Sequence, residues 1–216
     1  MTDRASGRTT VLLVRHGECR GNSEGLFRGR TDFPLNETGL RQAGEVASEV
    51  AGLRPDVVLT SPLTRAVQTA EAIARECGVG VKVEEGFINI GLGGWEGRLK
   101  KDIAKDHPEE WRLWLESPEL LRLEGAESMD AVQKRSLEAL DRIMSKHRGK
   151  TVVAVSHRTV IMPLLAGCLG IRPPYFWRLH MDTAAYSVLN HSEVRGYTLY
   201  SLNRTGHLSG FSTEWE

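Results

Sequence analysis

Arginine and histidine follow directly on an apolar run near the start of the chain. In the stretch VLLVRHGECRGN, Arg15 and His16 come after four residues of the type that proteins bury. A second apolar run, TVVAVS, is followed by His157 in the same way, and Arg65 lies in a predicted helix after a third run. Polar side chains at the ends of buried strands are costly unless the protein uses them, so we take these residues as site candidates.

These histidines and arginines would together form a cationic crevice. Helix N-termini add partial positive charge and free N–H groups to such a crevice. Planar guanidinium groups bind phosphate oxygens through paired hydrogen bonds. We therefore expect the crevice to bind a phosphate dianion. Taken singly, each residue has an ordinary alternative as a hydrogen-bonded core histidine or a surface arginine.

The elements that position these residues alternate between strands and helices. Apolar runs bounded by turn residues predict strands at 10–14, 56–61, 81–85, 151–156, 185–190 and 197–202. Helical periodicity between them predicts an α/β fold, a three-layer sandwich whose mainly parallel central sheet has helices on both faces. The last two strands predict an antiparallel hairpin at one edge. Ligands of such sheets bind beyond the carboxyl ends of the strands, where the histidines lie.

A single domain, 1–216, is the expected organisation. Residues 98–126 break the alternation and predict an inserted helical lobe over the site. In that lobe, Trp111 and Trp114 either line a pocket or only anchor the lobe. Ser61 and Pro62 predict the N-cap and first residue of the helix that carries Arg65.

Composition argues against several functional classes. The chain has 28 basic and 28 acidic residues, so its overall charge does not indicate binding to nucleic acid or to an anionic membrane. Its apolar runs are too short for a membrane helix, and the first residues lack the apolar core of a signal peptide, which favours a cytoplasmic location. The 3 cysteines are far apart and lack metal-ligand spacing, so we expect reduced thiols and no metal.

Several motifs, taken in order, resemble those of the histidine phosphatase superfamily, also called the phosphoglycerate mutase-like family. They are RHGE with Asn22 downstream, GRTDFPLNETG (29–39), TSPLTRAVQTA (60–70), GGWEG (93–97), EGAES (124–128) and VVAVSH (152–157). The stretches FWRLHMDTAAYSVLN and NRTGHL are similar to the phosphatase branch, and to metal-independent phosphoserine phosphatases in particular. The resemblance implies the phosphoglycerate mutase-like version of the predicted fold.

The resemblance also implies a reaction and its residues. His16 would be the nucleophile that takes the phosphoryl group onto a ring nitrogen, before water releases it. Arg15, Arg65 and His157 would hold the transferring group, with Asn22 as a further contact. Because these fixed donors supply the electrostatic stabilisation, the implied reaction is metal-independent hydrolysis of a small phosphomonoester, with no cofactor.

One position departs from the family pattern. In the family, an acidic residue six positions before the tryptophan of the GxWxG segment protonates the leaving alcohol, and here that position is Asn89. An amide donates hydrogen bonds but cannot give up a proton as an acid does. Glu84 and Glu85 lie nearby but out of register. Asn89 is kept as a catalytic candidate, and the source of the proton is left open.

Further residues are candidates for contact with the organic part of the substrate. The family commonly has SHGG where this chain has SHRT, so Arg158 and Thr159 bring side chains to a place that glycine would leave open. Arg28 directly precedes the GRTDF segment. His207, in the tail motif NRTGHL, either returns to the pocket or is a surface histidine near the terminus.

Two other functions remain open on sequence grounds. A cofactor-dependent phosphoglycerate mutase would carry a longer insertion than the short lobe at 98–126, which favours hydrolysis. A weakly active phosphate-binding member of the family stays open because of Asn89. The two late strands could also pair across a homodimer.

Overall fold

The central sheet has six strands, and the computed structural model describes residues 8–210 of the chain. The strands are β1 (Thr9–Arg15), β2 (Val57–Thr60), β3 (Val81–Val83), β4 (Thr151–Ser156), β5 (Tyr186–Ser192) and β6 (Gly196–Arg204). Their order across the sheet is β3-β2-β4-β1-β5-β6. The first four run parallel, whereas β5 is antiparallel to β1 and β6 is antiparallel to β5. The predicted mainly parallel sheet with an antiparallel hairpin at one edge is confirmed.

Helices cover both faces of this sheet. They are α1 (Arg20–Ser23), α2 (Glu37–Ala51), α3 (Thr64–Cys77), α4 (Lys100–Asp106), α5 (Pro108–Glu116), α6 (Met129–Lys146) and α7 (Arg158–Leu169). The apolar stripes of α2 and α3 pack on one face, and those of α6 and α7 pack on the other. Between residues 8 and 210, none of the helices combines the length and apolar character that a membrane span needs.

The alternation of side chains along β1 explains the two cores. Val11 and Leu13 point to the core under α6 and α7, whereas Leu12 and Val14 point to the core under α2 and α3. Successive residues of a strand face opposite sides of the sheet, and both sides are covered here. Every residue of β1 is therefore buried, as expected for a central parallel strand.

The pairing of β1 with β4 brings the two histidine motifs together. In this parallel register, Arg15 at the end of β1 lies opposite Ser156 at the end of β4. His16 and His157 are the next residues along each strand. The backbone N–H of His16 also donates to the carbonyl of Ser156 at 3.0 Å, so the pairing extends one residue beyond β1.

Most strand boundaries shift by one or two residues, and two differences from the sequence prediction have a local cause. The helix α3 begins at Thr64 with Leu63 as N-cap, so the prediction of Ser61 as N-cap was wrong. The predicted strand 81–85 ends at Val83, because the Glu84 carboxylate accepts from the backbone N–H of Gly86 and caps a short 3₁₀ turn. Both elements are shorter than predicted, because a side chain near each boundary forms a local hydrogen bond with the backbone.

Residues 98–126 form α4, α5 and a 3₁₀ turn at Pro118–Leu120. The sequence predicts Trp111 and Trp114 in this segment as pocket or anchor residues. Ile103 and Trp114 are buried in the same apolar core as α6 and α7. The segment is thus attached to the sheet through that core and lies beside the strand ends.

The loop after β1 is fastened to α2 and α3 at close range. The backbone N–H of Gly17 donates to the Thr69 hydroxyl at 3.1 Å, and that of Glu18 donates to the Gln42 side chain at 2.9 Å. A Cβ on Gly17 would lie 2.6 Å from the carbonyl oxygen of Gly39, and one on Gly39 would lie 1.9 Å from that of Glu18. The two backbones can touch only because both positions are glycine.

This close approach gives a matched pair of substitutions within α2. Gly39→Ala places a methyl group against backbone atoms that cannot move away, so we expect it to lower the free energy of unfolding by 1 kcal/mol or more, about the scale of an overpacked site. Gly44→Ala meets nothing within 4 Å and should raise the free energy of unfolding by about 0.5–1 kcal/mol through helix propensity.

Urea unfolding curves of the two variants measure both effects. Equal stability of Gly39→Ala and Gly44→Ala would contradict the contact between the β1 loop and α2.

Candidate active site

A pocket opens at the carboxyl ends of β1 and β4. Its lining includes both histidines, His16 and His157, together with Asn89, Arg158 and Thr159. The pocket therefore lies where ligands of open α/β sheets bind.

The two imidazoles lie side by side in the pocket floor. The ring centroids of His16 and His157 are 5.1 Å apart, and each residue is 1% exposed. The imidazole Nδ1 of His16 lies 2.7 Å from the carbonyl oxygen of Gly17, which can only accept a hydrogen bond. Nδ1 therefore carries the proton, and Nε2 of His16 has the lone pair.

His157 is held through its other ring nitrogen. Its Nε2 shares a hydrogen bond with the Ser61 hydroxyl at 2.7 Å. Its Nδ1 is buried and has no hydrogen-bond partner between residues 8 and 210. Ser61 directly follows β2, so three strand ends contribute to the site.

Burial and neighbouring arginines keep both histidines neutral. Burial is the largest cause that lowers the pKa of His16 well below 6.5, and Arg65, Arg15 and Arg28 lower it further. Burial and the same three arginines also lower the pKa of His157 well below 6.5, with a further contribution from His16. A neutral His16 with a free lone pair on Nε2 can act as a nucleophile.

The arginines are fixed by backbone carbonyls. The guanidinium of Arg15 donates to the carbonyl of Met181 at 2.7 Å. That of Arg65 donates to the carbonyls of Gly29 and Thr31, both at 3.0 Å. Arg65 is 0% exposed, and burial is the main cause that lowers its pKa to about 10. These carbonyls hold the guanidinium groups without neutralising their charge.

Asn89 lies in the pocket wall with both ends of its amide engaged. Its Nδ2 donates to the carbonyl of Gly29 at 2.8 Å, and its Oδ1 accepts from the Thr159 hydroxyl. The residue is 6% exposed. The structure thus brings the candidate Asn89 and the candidate Thr159 into direct contact beside the histidines.

Arg28 and Arg158 also line the pocket, as the sequence predicts for substrate contacts. The guanidinium carbon of Arg158 lies 4.9 Å from the centre of the Trp177 ring, a cation–π geometry. Arg28 is close enough to both histidines to lower their pKa. Both residues add positive charge at the mouth of the site.

Two candidates are placed elsewhere. Asn22 is not among the described residues that line the pocket; its side-chain oxygen accepts from the backbone N–H and thiol of Cys19, at 3.0 and 3.1 Å, and caps α1. His207 donates to the carbonyl of Ala184 at 3.1 Å and packs on Tyr186. The prediction that His207 reaches the pocket is not met by this geometry, because these contacts hold it against β5.

Several pocket residues were missed by the sequence analysis. Lys100, Phe27, Phe176 and Trp177 line the pocket with Trp114, whereas Trp111 lies on a neighbouring surface. No local motif identifies them, because they converge from the β1 loop, the lobe and the segment after α7. Phe176 and Trp177, which follow the lobe, carry no periodic signal of their own.

A buried carboxylate holds part of this wall. Glu119 is 2% exposed, and its Oε1 accepts from the backbone N–H groups of Tyr175 and Phe176 at 2.6 and 2.8 Å. The indole N–H of Trp177 donates to the carbonyl of Trp114 at 2.8 Å. The lobe and the segment after α7 are therefore tied together where they form the pocket wall.

These features agree with the comparison of the whole sequence with protein families. The model of the histidine phosphatase superfamily (branch 1) matches residues 11–205. The chain belongs to this superfamily. The resemblance drawn from the motifs is thereby confirmed.

Relatives within the histidine phosphatase superfamily are similar over nearly the whole chain. Phosphoserine phosphatase 1 of Hydrogenobacter thermophilus is 35% identical over 204 residues, 94% of this chain and 96% of that protein. A probable phosphoglycerate mutase of Yersinia enterocolitica is 32% identical over 203 residues, 92% of this chain and 94% of that protein. A phosphoserine phosphatase variant of Entamoeba histolytica, solved with phosphoserine, has 28% identity and a TM-score of 0.81, covering 93% of this chain and 99% of that chain. The similarities support a phosphatase.

The neutral state of the buried histidines predicts how stability depends on pH. The folded state holds His16 unprotonated, whereas the unfolded chain protonates it near its ordinary pKa of about 6.5. The unfolded state then binds more protons, so the free energy of unfolding falls as pH falls through that value. From about pH 7.5 to about pH 5.5, His16 alone should account for a loss of about 1.4 kcal/mol.

Urea unfolding of the wild type and of His16→Gln at both pH values, in phosphate-free buffer, measures this contribution. The variant should lose less stability than the wild type by about that amount. An equal loss in both proteins would mean that His16 is protonated in the folded state.

Proposed function

We propose that this protein is a metal-independent phosphomonoester hydrolase that works through a phosphohistidine at His16. The observation that carries the proposal is the imidazole of His16, whose Nδ1 is fixed on the Gly17 carbonyl while burial and arginines keep the ring neutral. Nε2 is then the nucleophilic atom. The similarity to phosphoserine phosphatases supports hydrolysis as the reaction class.

The reaction consists of two displacements at phosphorus. In the first, the lone pair on Nε2 of His16 forms the N–P bond, and the P–O bond to the leaving group breaks with its electron pair on oxygen. In the second, a water oxygen attacks phosphorus, the N–P bond breaks, and its electron pair returns to the ring. Splitting one difficult displacement into two easier ones is the general advantage of covalent catalysis.

The fixed cations supply the electrostatic stabilisation. Arg15 and Arg65 are buried beside His16, and Arg28 stands at the pocket wall. Their guanidinium groups would hold the non-transferring oxygens and the charge that develops in the transition state. The unpartnered Nδ1 of His157 points to a further contact with the phosphoryl group. A metal ion is not needed for this arrangement to work.

The partner proposed for the pocket is a small-molecule phosphomonoester. The concave pocket at the strand ends is lined by histidines, cations and aromatic side chains, which fits a small organic phosphate. Arg28, Lys100 and Arg158 line the pocket with the two histidines, which matches an anionic group such as phosphate.

A second candidate function rests on Asn89. An amide in the pocket wall, held by Gly29 and Thr159, favours a phosphate-binding protein with weak turnover. The similarity to a probable phosphoglycerate mutase supports mutase activity as a third candidate function. Turnover of p-nitrophenyl phosphate separates an enzyme from a binding protein, and a requirement for 2,3-bisphosphoglycerate separates a mutase from a hydrolase.

The substitution His16→Ala tests the proposed function. It removes the nucleophile, so hydrolysis of p-nitrophenyl phosphate should be abolished, and the acid-labile phosphoenzyme should no longer form. EDTA should leave the wild-type rate unchanged.

His191→Ala is the matched control. His191 stacks on Tyr197, and its strand partner is Thr9, at the far end of β1 from His16. The control should keep wild-type turnover. Loss of activity with EDTA, or a phosphoenzyme that persists in His16→Ala, would refute the mechanism.

A further inference from the structure

The charged side chains around the pocket are cations. Among the residues between 8 and 210 that line it, Arg28, Lys100 and Arg158 carry charge, and none is Asp or Glu. A leaving group that departs from phosphorus normally needs a proton if it would otherwise be a strongly basic alkoxide. The source of such a proton is therefore a question that the pocket lining itself raises.

Nearby carboxylates are committed to other partners. Glu127 forms a paired contact with the guanidinium of Arg135, at 2.7 and 3.0 Å. Glu84 accepts from the backbone N–H of Gly86 and from Arg142, at 3.1 and 3.0 Å. These hydrogen bonds hold both carboxyl groups outside the pocket lining.

Asn89 cannot fill the role of the acid. Its Nδ2 donates to the Gly29 carbonyl and its Oδ1 accepts from Thr159, which fixes the amide with one N–H hydrogen remaining on Nδ2. That hydrogen can be donated to an oxygen in a hydrogen bond, but it is not transferred. The leaving oxygen can therefore accept a hydrogen bond from Asn89, but it receives no proton from this side chain.

The histidines do not replace the acid either. Burial and the arginines keep His16 and His157 neutral, and His16 is the nucleophile. The remaining acidic proton in the lining is that of the Lys100 ammonium group. The experiment below includes this residue for that reason.

The rest of the pocket wall is aromatic. Phe27 and Trp114 meet edge to face at 5.1 Å between ring centroids, and Trp114 lies 5.8 Å from Phe176. Trp177 extends this surface, and the guanidinium of Arg158 lies over its ring at 4.9 Å. A flat apolar group can be buried against such a wall.

We propose that this site takes small aryl phosphates, whose leaving group departs as a stabilised phenolate. This inference rests on the proposed function and names the substrate class for it. Two features of the pocket point to the same class: a wall without an acid, and an aromatic surface that fits an aryl ring.

The chemistry balances without an enzymic acid. The lone pair of His16 Nε2 forms the N–P bond while the P–O bond breaks, and the electron pair leaves on the phenolate oxygen. Phenolate is the base of an acid with a pKa of about 10, as for a tyrosine side chain, so it departs readily. Water then forms the new P–O bond and gives inorganic phosphate, and the proton that it releases goes to the phenolate through solvent.

A leaving-group series tests the inference on the wild-type enzyme. Substituted phenyl phosphates, glycerol 3-phosphate and phosphoserine are compared by kcat/KM, with p-nitrophenyl phosphate as reference. We expect aryl phosphates to be faster than the two alkyl phosphates by about 10²-fold or more, the lower end of what a general acid contributes. Among the aryl phosphates, the rate should rise steeply as the phenol becomes more acidic.

Asn89→Asp tests the origin of that preference. A carboxyl group there would meet the Gly29 carbonyl, which favours its protonated form and makes it an acid. We expect kcat on the alkyl phosphates to rise by about 10²-fold, with little change on p-nitrophenyl phosphate.

Asn190→Asp is the matched control. Asn190 is similarly buried and also accepts a hydrogen bond from a threonine, Thr10, at 2.9 Å, but it lies away from the pocket. Its aryl-to-alkyl ratio should equal that of the wild type.

The outcomes are separable. Similar rates on phosphoserine and on phenyl phosphate would overturn the inference while leaving the proposed function in place. A strong loss of turnover on alkyl phosphates in Lys100→Met, with turnover on aryl phosphates kept, would also overturn the inference, because Lys100 would then be the acid. A large ratio that Asn89→Asp does not reduce, in a variant with a wild-type circular dichroism spectrum, would also refute it. Absence of turnover on every ester, with no phosphoenzyme, would instead overturn the proposed function.

Discussion

Parallel hydrogen bonding between β1 and β4 is the constraint on which the site depends. The register of Arg15 with Ser156 sets the two strand ends level, so the next residue of each strand reaches the same place. His16 and His157 are thereby held with ring centroids 5.1 Å apart by backbone pairing. A slip of one residue would turn one strand's side chains to the other face of the sheet. Both faces of β1 are packed, so such a slip would force the side chains of both cores to repack.

Burying arginines beside neutral histidines works because backbone carbonyls satisfy the guanidinium groups. The carbonyls of Met181, Gly29 and Thr31 accept from Arg15 and Arg65. A carboxylate partner would cancel the charge, whereas a carbonyl dipole leaves most of it in place. The nearest acid to Arg65 is Asp32, 4.0 Å away and 44% exposed, where solvent screens it. The positive potential thus remains for an anionic ligand.

The sequence predicted the parts of the fold that depend on local pattern. Apolar runs located the six strands within one or two residues at most boundaries, and the residues after β1 and β4 were correctly expected to meet at one edge. The sequence did not predict contacts between distant segments. Ser61 hydrogen-bonds to His157 instead of capping α3, and the buried Glu119 holds the backbone beside Trp177 in the pocket wall. Such contacts follow from packing, which carries no periodic signal. The sequence left two positions open for His207 for the same reason, since its partner is a backbone carbonyl.

One carbonyl joins the two halves of the pocket. The oxygen of Gly29 accepts from Arg65 at 3.0 Å and from Asn89 at 2.8 Å, and Gly29 itself has a φ of +49° that other residues rarely adopt. The shared carbonyl therefore couples the geometry of Arg65 to that of Asn89. In evolutionary terms, we expect epistasis between positions 65 and 89, because a mutation at either changes the hydrogen bonding of the carbonyl that the other uses. We expect an acid at position 89 to be selected together with changes that keep the Gly29 carbonyl in place for Arg65.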